Sequence, residues 1–272
     1  MPDKRSDTVF TGSIPKLYDE LLVPLIFEPY AADLAGRLAV LPLERVLEVA
    51  AGTGVVTRAM AAALHDRVSI VATDLNQAML DRASAVGTCR AVDWRQADAM
   101  QLPFADAQFD AVVCQFGAMF FRDRSKAYSE ARRVLRPNGT LLLNVWDRIE
   151  DNEFAAIVTE ALQEMFPEDP PFFLRRTPHG YFDTRLIRSD LAKAGFSRKP
   201  EITTLAARSR APSPRIPAVA YCRGTPLLNE ITARGPSRVD ESVERAAAAI
   251  ALRFGDGAVD GKIQAHVVSV ER

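Results

Sequence analysis

The feature that most constrains this chain is a strand-turn-helix pattern at residues 46–57. The apolar run 46–49 predicts a buried parallel strand, and it gives way to small residues before a helix expected over 53–64. Gly52 and Gly54 allow a tight turn, because residues without a Cβ let backbone N–H groups approach a ligand. The N-terminus of the helix then points its unpaired N–H groups towards that ligand.

Two acidic residues follow the next two predicted strands and narrow the class of ligand. Asp74 ends the apolar strand 68–73, where a carboxylate accepts from the two hydroxyls of a ribose. Asp98 follows the strand 93–97, where it is placed to accept from an adenine amino group. Thr57 replaces the third glycine that would let a pyrophosphate approach closely. The pattern therefore favours an adenosine-containing ligand without phosphates.

Five motifs in register carry a family resemblance over roughly residues 15–147. They are Glu48–Gly54, Asp74–Asn76, Ala97–Ala99 with Leu102–Phe104, Phe109–Val113 and Arg133–Leu141. With them the chain resembles the class I S-adenosylmethionine-dependent methyltransferases, in particular the small-molecule branch that includes the quinone-biosynthesis enzymes. Ala50 departs from the family pattern, which usually has its first glycine at this position. The methyl group of Ala50 slightly narrows the space through which a ligand approaches the backbone.

The resemblance implies an α/β fold. We expect a Rossmann-like three-layer sandwich whose seven-stranded, mostly parallel sheet has the order 3-2-1-4-5-7-6, with helical lid or insert segments. Residues 1–272 are expected to form a single methyltransferase domain. Its segments would be an N-terminal lid or helical segment (1–40), a cofactor-binding core (41–147), substrate-side helices with the sixth strand (148–254), and the last strand (262–270).

The hydrophobic periodicity predicts the individual elements. The predicted strands are 44–49, 68–73, 93–97, 109–114, 139–146, 201–205 and 263–270. The predicted helices are 31–40, 53–64, 76–86, 123–135, 152–166 and 186–195, with Asn76 as an N-cap, Gly195 as a C-cap and a turn at Asn138-Gly139. Residues 212–254 are predicted to be proline-rich and then helical. Three prolines predict that 14–30 is broken into short helical pieces.

The resemblance implies S-adenosylmethionine as the cofactor and a set of residues that bind it. These residues come from the N-terminal segment, the glycine turn and the ends of four strands. They are Tyr18, Glu48, Ala50, Gly52, Thr53, Gly54, Asp74, Leu75, Asn76, Met79, Asp98, Ala99, Met100, Gln115 and Phe116. Tyr18 is expected near the methionine part, which Gln115 and Phe116 contact through their backbone. Met79 either packs on the adenine or is an ordinary core residue.

Aromatic residues in the loops predict a flat or lipophilic methyl acceptor, roofed by the N-terminal segment and 148–254. The candidate acceptor-binding residues are Phe27, Tyr30, Phe120, Phe173 and Tyr181. His179, in a loop, is the candidate general base, needed only if the acceptor keeps a proton at neutral pH. His65 is expected at the surface, and His266 is expected to be structural.

Composition limits the remaining possibilities. A net charge of −1 argues against a dedicated nucleic-acid partner. Cys89, Cys114 and Cys222 have no CxxC spacing, so neither a metal site nor a disulfide is expected, and Cys114 is expected in the core. No apolar segment has the length of a membrane span or a signal peptide, which predicts a cytoplasmic protein. The protein is expected to be a monomer or a homodimer.

The function predicted from these observations is methyl transfer to a small acceptor by in-line displacement. A nicotinamide-dependent oxidoreductase is the second interpretation, disfavoured by Thr57. A non-catalytic cofactor-binding module is the third, although Gly52, Gly54, Asp74 and Asp98 are all intact. The sequence specifies neither the acceptor nor the atom that is methylated.

Overall fold

The computed structural model describes residues 6–272 and contains a seven-stranded sheet. The strands are β1 (Arg45–Val49), β2 (Ser69–Asp74), β3 (Asp93–Gln96), β4 (Phe109–Gln115), β5 (Leu135–Trp146), β6 (Glu201–Ala211) and β7 (Val259–Glu271). Their order is β3-β2-β1-β4-β5-β7-β6. The predicted fold class and strand order are therefore confirmed.

The strand β1 lies at the centre of the parallel part of the sheet. Val46 pairs with Ile70 of β2 on one side and with Ala111 of β4 on the other. The pairs β2–β3 and β4–β5 are also parallel. The strand β7 runs against β5, since Arg272 N–H donates to Gly139 O and Asp147 N–H donates to Gln264 O. The sheet is thus mostly parallel, with β7 reversed between β5 and β6.

Both faces of the central strands are buried, which explains their nearly continuous apolar sequences. On one face, Val46, Ile70 and Ala111 belong to a core cluster that includes residues of the helices 28–39 and 55–63. Their neighbours Leu47 and Val71 point to the opposite face and are also buried. This arrangement gives the expected three layers.

The helices connect and cover these strands. They are α1 (Ile14–Leu17), a π-helix (Tyr18–Phe27), α2 (Glu28–Ala39), α3 (Val55–Ala63), α4 (Gln77–Val86), α5 (Arg124–Val134), α6 (Glu153–Met165), α7 (Phe173–Arg176), α8 (Thr184–Lys193), α9 (Arg215–Arg223), α10 (Leu227–Arg234) and α11 (Arg238–Phe254). None of the helices within residues 6–272 combines the length and the apolar composition needed to cross a membrane.

The chain forms two compact units. The helical unit contains the described residues up to Phe27, Trp146–Gly180 and Ala206–Gln264. The sheet unit contains Glu28–Val145, Tyr181–Leu205 and Ala265–Arg272. The single domain predicted for 1–272, with segments 1–40, 41–147, 148–254 and 262–270, stays a prediction, and residues 1–5 of its first segment lie outside the described part.

The prediction that prolines break the segment 14–30 into short pieces is wrong. The chain is helical from Ile14 to Ala39, with Pro24 inside the π-helix. Proline lacks the N–H that either an i→i−4 or an i→i−5 ladder would use, so Pro24 leaves one backbone bond unmade and the helix continues around it. The helix predicted over 31–40 accordingly begins three residues earlier, at Glu28.

The predicted start of β5 and the predicted cap of α4 also need correction. The strand β5 begins at Leu135 rather than at 139, because Phe109 pairs with Leu135 while Ala111 pairs with Thr140, so that residues 136–139 bulge out of the ladder. Asn138 has φ +63° in this bulge, where a turn was expected. Residue Asn76 precedes α4 as predicted, but its side chain makes no capping hydrogen bond.

Two glycines give a test of the backbone geometry. Gly36 lies exposed inside α2 with open space around the position of a Cβ, so Gly36→Ala should raise the free energy of unfolding by about 1 kcal/mol. Gly195, which follows α8, has φ +92°, so the same substitution there should lower it by about 1–2 kcal/mol. Urea denaturation of both variants measures the two changes, and equal signs would contradict the assigned backbone.

Candidate functional site

A turn with three left-handed residues joins β1 to α3. Ala50, Gly52 and Gly54 have φ values of +56°, +55° and +83°. A Cβ added to Gly54 would lie 2.9 Å from the ring of Trp94, so this position requires glycine for sterics as well as for φ. Ala50 adopts the left-handed conformation despite its Cβ. The helix begins at Val55, two residues later than predicted, because the turn continues through Gly54.

Asp74, at the end of β2, holds this turn in place. One carboxylate oxygen accepts from the N–H of Gly52 and the other from the N–H of Asn76, both at 2.8 Å. Burial raises the pKa of Asp74, although both N–H groups act to lower it. A carboxylate has about four lone-pair positions, so Asp74 can accept from a ligand hydroxyl besides these N–H groups. The adjacent Leu75 is 51% exposed and offers an uncovered apolar surface beside this carboxylate.

Thr57 and Glu48 form a buried pair beneath the turn. The Thr57 hydroxyl donates to Glu48 Oε2 at 2.5 Å, and both side chains are at most 1% exposed. Burial raises the pKa of Glu48 to about 8, against the lowering effects of Thr57 and the Arg58 charge. In the sequence, Thr57 was notable only because it occupies the position of the third glycine of a dinucleotide-binding turn. In the structure its hydroxyl donates to Glu48, whose carboxyl group is mainly protonated at neutral pH.

Thr53 carries an unused polar atom in the same turn. Its side chain is 1% exposed, and within residues 6–272 its hydroxyl oxygen has no hydrogen-bond partner. A buried hydroxyl without a partner costs about 1–3 kcal/mol, so such groups usually serve a ligand or a water. The turn therefore fits a ligand with a polar group at this point, as the predicted cofactor has.

The loop after β4 packs closely against the turn. Phe116 has φ +49°, and its N–H donates to the Asn144 side-chain oxygen at 3.0 Å. The Asn144 amide also donates to Gln115 Oε1 at 3.3 Å. A Cβ added to Gly117 would lie 2.5 Å from the Ala50 Cβ, so only glycine allows this approach.

Sequence reasoning did not single out Gly117 or Asn144. The sequence around Gly117 gives no turn motif, because its φ of −97° is ordinary and its role is purely steric. Asn144 is fully buried. Its position inside an apolar strand could have been recognised from the sequence, because a polar amide in such a strand indicates a buried hydrogen-bonding role.

The remaining predicted adenine contacts lie where the strands β2 and β3 end. Asp98 Oδ1 accepts from the N–H of Met100 at 2.8 Å, and Ala99 between them is buried. Met79 is 3% exposed, with its Cε 3.6 Å from the position of a Cβ at Gly52. Packing in the core explains Met79 without a ligand, and its contact with adenine stays a prediction.

The candidate acceptor-binding residues divide between the two units. In the sheet unit, Tyr30 is fully buried with its ring edge-on to Phe116. The Tyr181 hydroxyl donates to Asp190 at 3.0 Å, and the Arg124 guanidinium lies 4.1 Å from the Tyr181 ring centre. These contacts explain the burial of both tyrosines without a ligand.

Three further acceptor candidates complete the set. Phe120 is half-buried in the sheet unit, whereas Phe27 and Phe173 are buried in the helical unit. The acceptor-binding roles of Phe27, Tyr30, Phe120, Phe173 and Tyr181 stay predictions.

The helical unit contains a row of aromatic rings that ends at His179. Tyr18 stacks on Phe27 with 4.9 Å between ring centres, Phe27 lies 6.1 Å from Trp146, and Trp146 lies 5.9 Å from His179. His179 Nδ1 lies 2.9 Å from the carbonyl oxygen of Asp147. A carbonyl only accepts, so Nδ1 carries the proton. Burial lowers the pKa of His179 to about 4, so the ring is neutral at neutral pH.

The other histidines and the cysteines lie largely as expected. His65 is exposed, and His266 is buried with its Nδ1 2.9 Å from the Thr204 hydroxyl. Cys114 is buried in the core, where burial raises the pKa of its thiol to about 12. In the described part of the chain, no three His, Cys, Asp or Glu side chains are grouped to hold a metal ion.

The packing of the two loops can be tested at Gly117. Gly117→Ala should lower the free energy of unfolding by about 1–3 kcal/mol, because its Cβ meets both the Ala50 Cβ and the Cys114 sulfur within 2.8 Å. Chemical denaturation measures the change, and Gly36→Ala is the control for a glycine with open space. A loss below that range would mean that the loops are not in contact.

The protonation of Glu48 gives a pH dependence with a definite sign. A carboxyl group whose folded pKa is about 8 stabilises the fold fully below its unfolded value of 4.5 and loses that contribution as the pH rises through 8. Glu48→Gln should therefore gain stability relative to the wild type between pH 5 and pH 9, by roughly 2–4 kcal/mol. Exposed Glu160→Gln is the control. Curves for Glu48→Gln and wild type that stay parallel would show that Glu48 is not buried in its acid form.

Comparisons with known proteins match the part of the chain that contains this site to a family model. Residues 47–143 match the family model described as "Methyltransferase domain". The ubiquinone/menaquinone biosynthesis C-methyltransferase UbiE of Teredinibacter turnerae is 35% identical over 122 residues, which are 43% of this chain and 48% of that protein. The chain thus spans about half the length of the curated relatives it matches.

Solved structures resemble nearly the whole chain, at low sequence identity. Phosphoethanolamine N-methyltransferase 2 of Haemonchus contortus, solved with phosphomonomethylethanolamine and S-adenosylhomocysteine, has a TM-score of 0.62 at 17% identity, covering 99% of this chain and 60% of that one. The [4+2]-cyclase SpnF has a TM-score of 0.54 at 20% identity, covering 90% and 80%. These likenesses show the fold, and the second shows that the fold alone does not fix the reaction.

Proposed function

We propose that the protein is an S-adenosylmethionine-dependent methyltransferase acting on a small aromatic or lipophilic acceptor, because residues 47–143 match the family model described as "Methyltransferase domain". The family match extends from within β1 to within β5, so it includes the glycine turn, Asp74, Asp98 and the loop after β4. The five sequence motifs that carry the family resemblance lie within the same matched residues.

The observation that carries the proposal is the buried Thr57 side chain, fully enclosed and bonded to Glu48. In a dinucleotide-binding turn a glycine at this position lets the helix lie close to the strand and the pyrophosphate. Thr57 fills that space. The turn nevertheless keeps its carboxylate at Asp74 and an unpaired hydroxyl at Thr53. An adenosine ligand with a polar amino-acid part and no phosphates fits this combination.

Each part of the proposed cofactor has its group of residues. Asp74 would accept from the ribose hydroxyls, while Leu75 and Asp98 would hold the adenine by apolar contact and by a hydrogen bond. The unpaired Thr53 hydroxyl would serve the methionine part. The other proposed contacts are Tyr18, Glu48, Ala50, Gly52, Gly54, Asn76, Met79, Ala99, Met100, Gln115 and Phe116.

The chemistry proposed for the site is an in-line displacement. S-adenosylmethionine held by these residues would supply a methyl group on a sulfonium. An electron pair of the acceptor would form the new bond to the methyl carbon, and the electron pair of the broken carbon–sulfur bond would stay on sulfur. The contribution of the protein is orientation, which gives on the order of 7–11 kcal/mol in well-aligned intramolecular reactions. The residues of the turn need only hold the donor rigidly, and Asp74 and Asn144 fix the two loops that do so.

The acceptor is proposed to be a small molecule. The relative from Teredinibacter turnerae is named for quinone biosynthesis, which supports a flat, lipophilic acceptor for this chain. The net charge of −1 shows no overall excess of basic residues of the kind that dedicated nucleic-acid-binding proteins have. A cytoplasmic location and a monomeric or homodimeric state belong to the same proposal.

The role of His179 as a general base is weakened by its surroundings. A base is most effective with a pKa near the working pH. Burial lowers the pKa of His179 to about 4, so its ring has little tendency to hold a proton at neutral pH. Its neutral Nε2 is better suited to accept a hydrogen bond than to store a proton.

Calorimetry tests the proposed function. We expect S-adenosylmethionine and S-adenosylhomocysteine to bind and NADH not to bind. Asp74→Ala should weaken the binding of S-adenosylhomocysteine by about 1–3 kcal/mol, because charged hydrogen bonds to the ribose are lost. Exposed Asp66→Ala is the control for removing one negative charge. Binding of NADH without S-adenosylhomocysteine would overturn the proposal.

A further inference from the structure

The segment 97–108 links β3 to β4 in the sheet unit and contains Asp98, the proposed partner of the adenine amino group. Asp98 begins a tight turn, because its carbonyl oxygen accepts from the N–H of Gln101 at 2.9 Å. Its Oδ1 accepts from the N–H of Met100 at 2.8 Å, as in a turn that an aspartate side chain closes. The direction of the Asp98 carboxylate is therefore set by the backbone of this turn.

Glu130, on α5, holds the residue that directly follows the turn. Its Oε2 accepts from the N–H of Leu102 at 2.9 Å, and both residues are buried. A buried backbone N–H needs a partner, and here a carboxylate on a helix supplies it. The hydrogen bond from Arg133 lowers the pKa of Glu130, so this carboxylate is ionised at neutral pH.

Arg133, one turn further along α5, binds the same segment. Its Nη2 donates to Leu102 O at 3.0 Å and to Glu130 Oε2 at 2.8 Å. Its Nη1 donates to Phe104 O at 2.7 Å and to Asp106 Oδ1 at 2.8 Å. Its Nε donates to Glu130 Oε1 at 2.8 Å. Within residues 6–272 the Arg133 side chain thus makes five hydrogen bonds, the number of its N–H groups.

This arrangement requires arginine rather than a positive charge alone. A guanidinium presents its donors in a rigid planar fork, whereas a lysine has three donors on one nitrogen atom. Lysine at position 133 would keep the charge but would not reach the separated carbonyls of Leu102 and Phe104 together. The Asp106 partner is 74% exposed and contributes little, so the anchoring depends on Glu130 and the two carbonyls.

We propose that Glu130 and Arg133 are positioning residues for adenine recognition, because they hold Leu102 and thereby the turn that directs the Asp98 carboxylate. The inference rests on the proposed function and deepens it, since the adenine contact belongs to the proposed cofactor site. A carboxylate that is already directed loses little conformational freedom on binding, which favours a ligand that presents a donor to it.

Two ligands that differ in one group test this role. The deamino analogue of S-adenosylhomocysteine carries hydrogen in place of the adenine amino group, so it lacks the donor for Asp98. In calorimetry the wild-type protein should bind S-adenosylhomocysteine about 10- to 100-fold more tightly than the analogue, the effect of one hydrogen bond to a charged group. Arg133→Lys should reduce this preference by about 5-fold or more, a coupling of the size found between interacting residues.

Arg136→Lys is the matched control for the loss of a structural arginine. Arg136 Nη1 donates to Asp110 Oδ1 at 2.7 Å, and Asp110 also accepts from the N–H groups of Glu44 and Arg45, at the start of β1. That end of β1 is opposite to the glycine turn, so the preference between the two ligands should stay unchanged. If Arg133→Lys weakens both ligands by the same factor, its role is merely structural and the inference is wrong.

Glu130→Gln is the second variant, and it decides the question if Arg133→Lys does not fold. The amide has the size of the carboxylate but only one acceptor oxygen, so it cannot serve Leu102 and both Arg133 nitrogens. It should lower the preference in the same way as Arg133→Lys. An unchanged preference in either folded variant would overturn the positioning role.

The levels of the proposal fail differently. If S-adenosylhomocysteine does not bind the wild-type protein, the proposed function itself is wrong. If it binds without any preference over the deamino analogue, Asp98 does not contact the adenine amino group, and the positioning role is wrong while the cofactor stands. If the wild type shows the preference and the variants keep it, only the roles of Glu130 and Arg133 are wrong.

Discussion

The architecture of the candidate site depends on the hydrogen bonds that the Asp74 carboxylate accepts. The parallel pairing of β1 with β2 brings the two strand ends together, and the N–H of Ala51 donates to Thr73 O at 2.9 Å. Beyond that point the ladder ends, and the two bonds of Asp74 to Gly52 and Asn76 replace it. One side chain thus satisfies backbone donors of both loops and still has lone pairs for a ligand.

Much of the fold could be predicted because it depends on local periodicity. Central strands buried on both faces read as apolar runs, and their order followed from the family resemblance. The π-helix escaped prediction since a proline normally ends an α-helix, and the sequence does not show that the hydrogen-bond spacing changes at Tyr18. The extension of β6 to Ala211 also escaped, because residues 206–211 are alanines, arginines and a serine, without the large apolar side chains that mark a strand.

The site was predictable only where the local sequence indicates which residue type is needed. Gly54 was predicted because a tight turn after a strand requires glycine, and Asp74 was predicted because it is an acid directly at the end of a strand. Thr57, Gly117 and Asn144 act through partners that are distant in the sequence, namely Glu48, Ala50 and the N–H of Phe116. The tautomer of His179 likewise depends on a carbonyl 32 residues away in the chain. Such pairings need a structure.

The contact between Ala50 and Gly117 has a consequence for how such a site can vary. The Ala50 methyl occupies nearly the same space that a methyl group at 117 would need, 2.5 Å away, and the sulfur of Cys114 closes the other side. The two loops therefore have room for a single Cβ between them. Gly117 is already the smallest residue, so Ala50→Gly is the change that makes room for a Cβ at 117, and the Cys114 sulfur must shift as well. Positions 50 and 117 therefore behave as one shared volume.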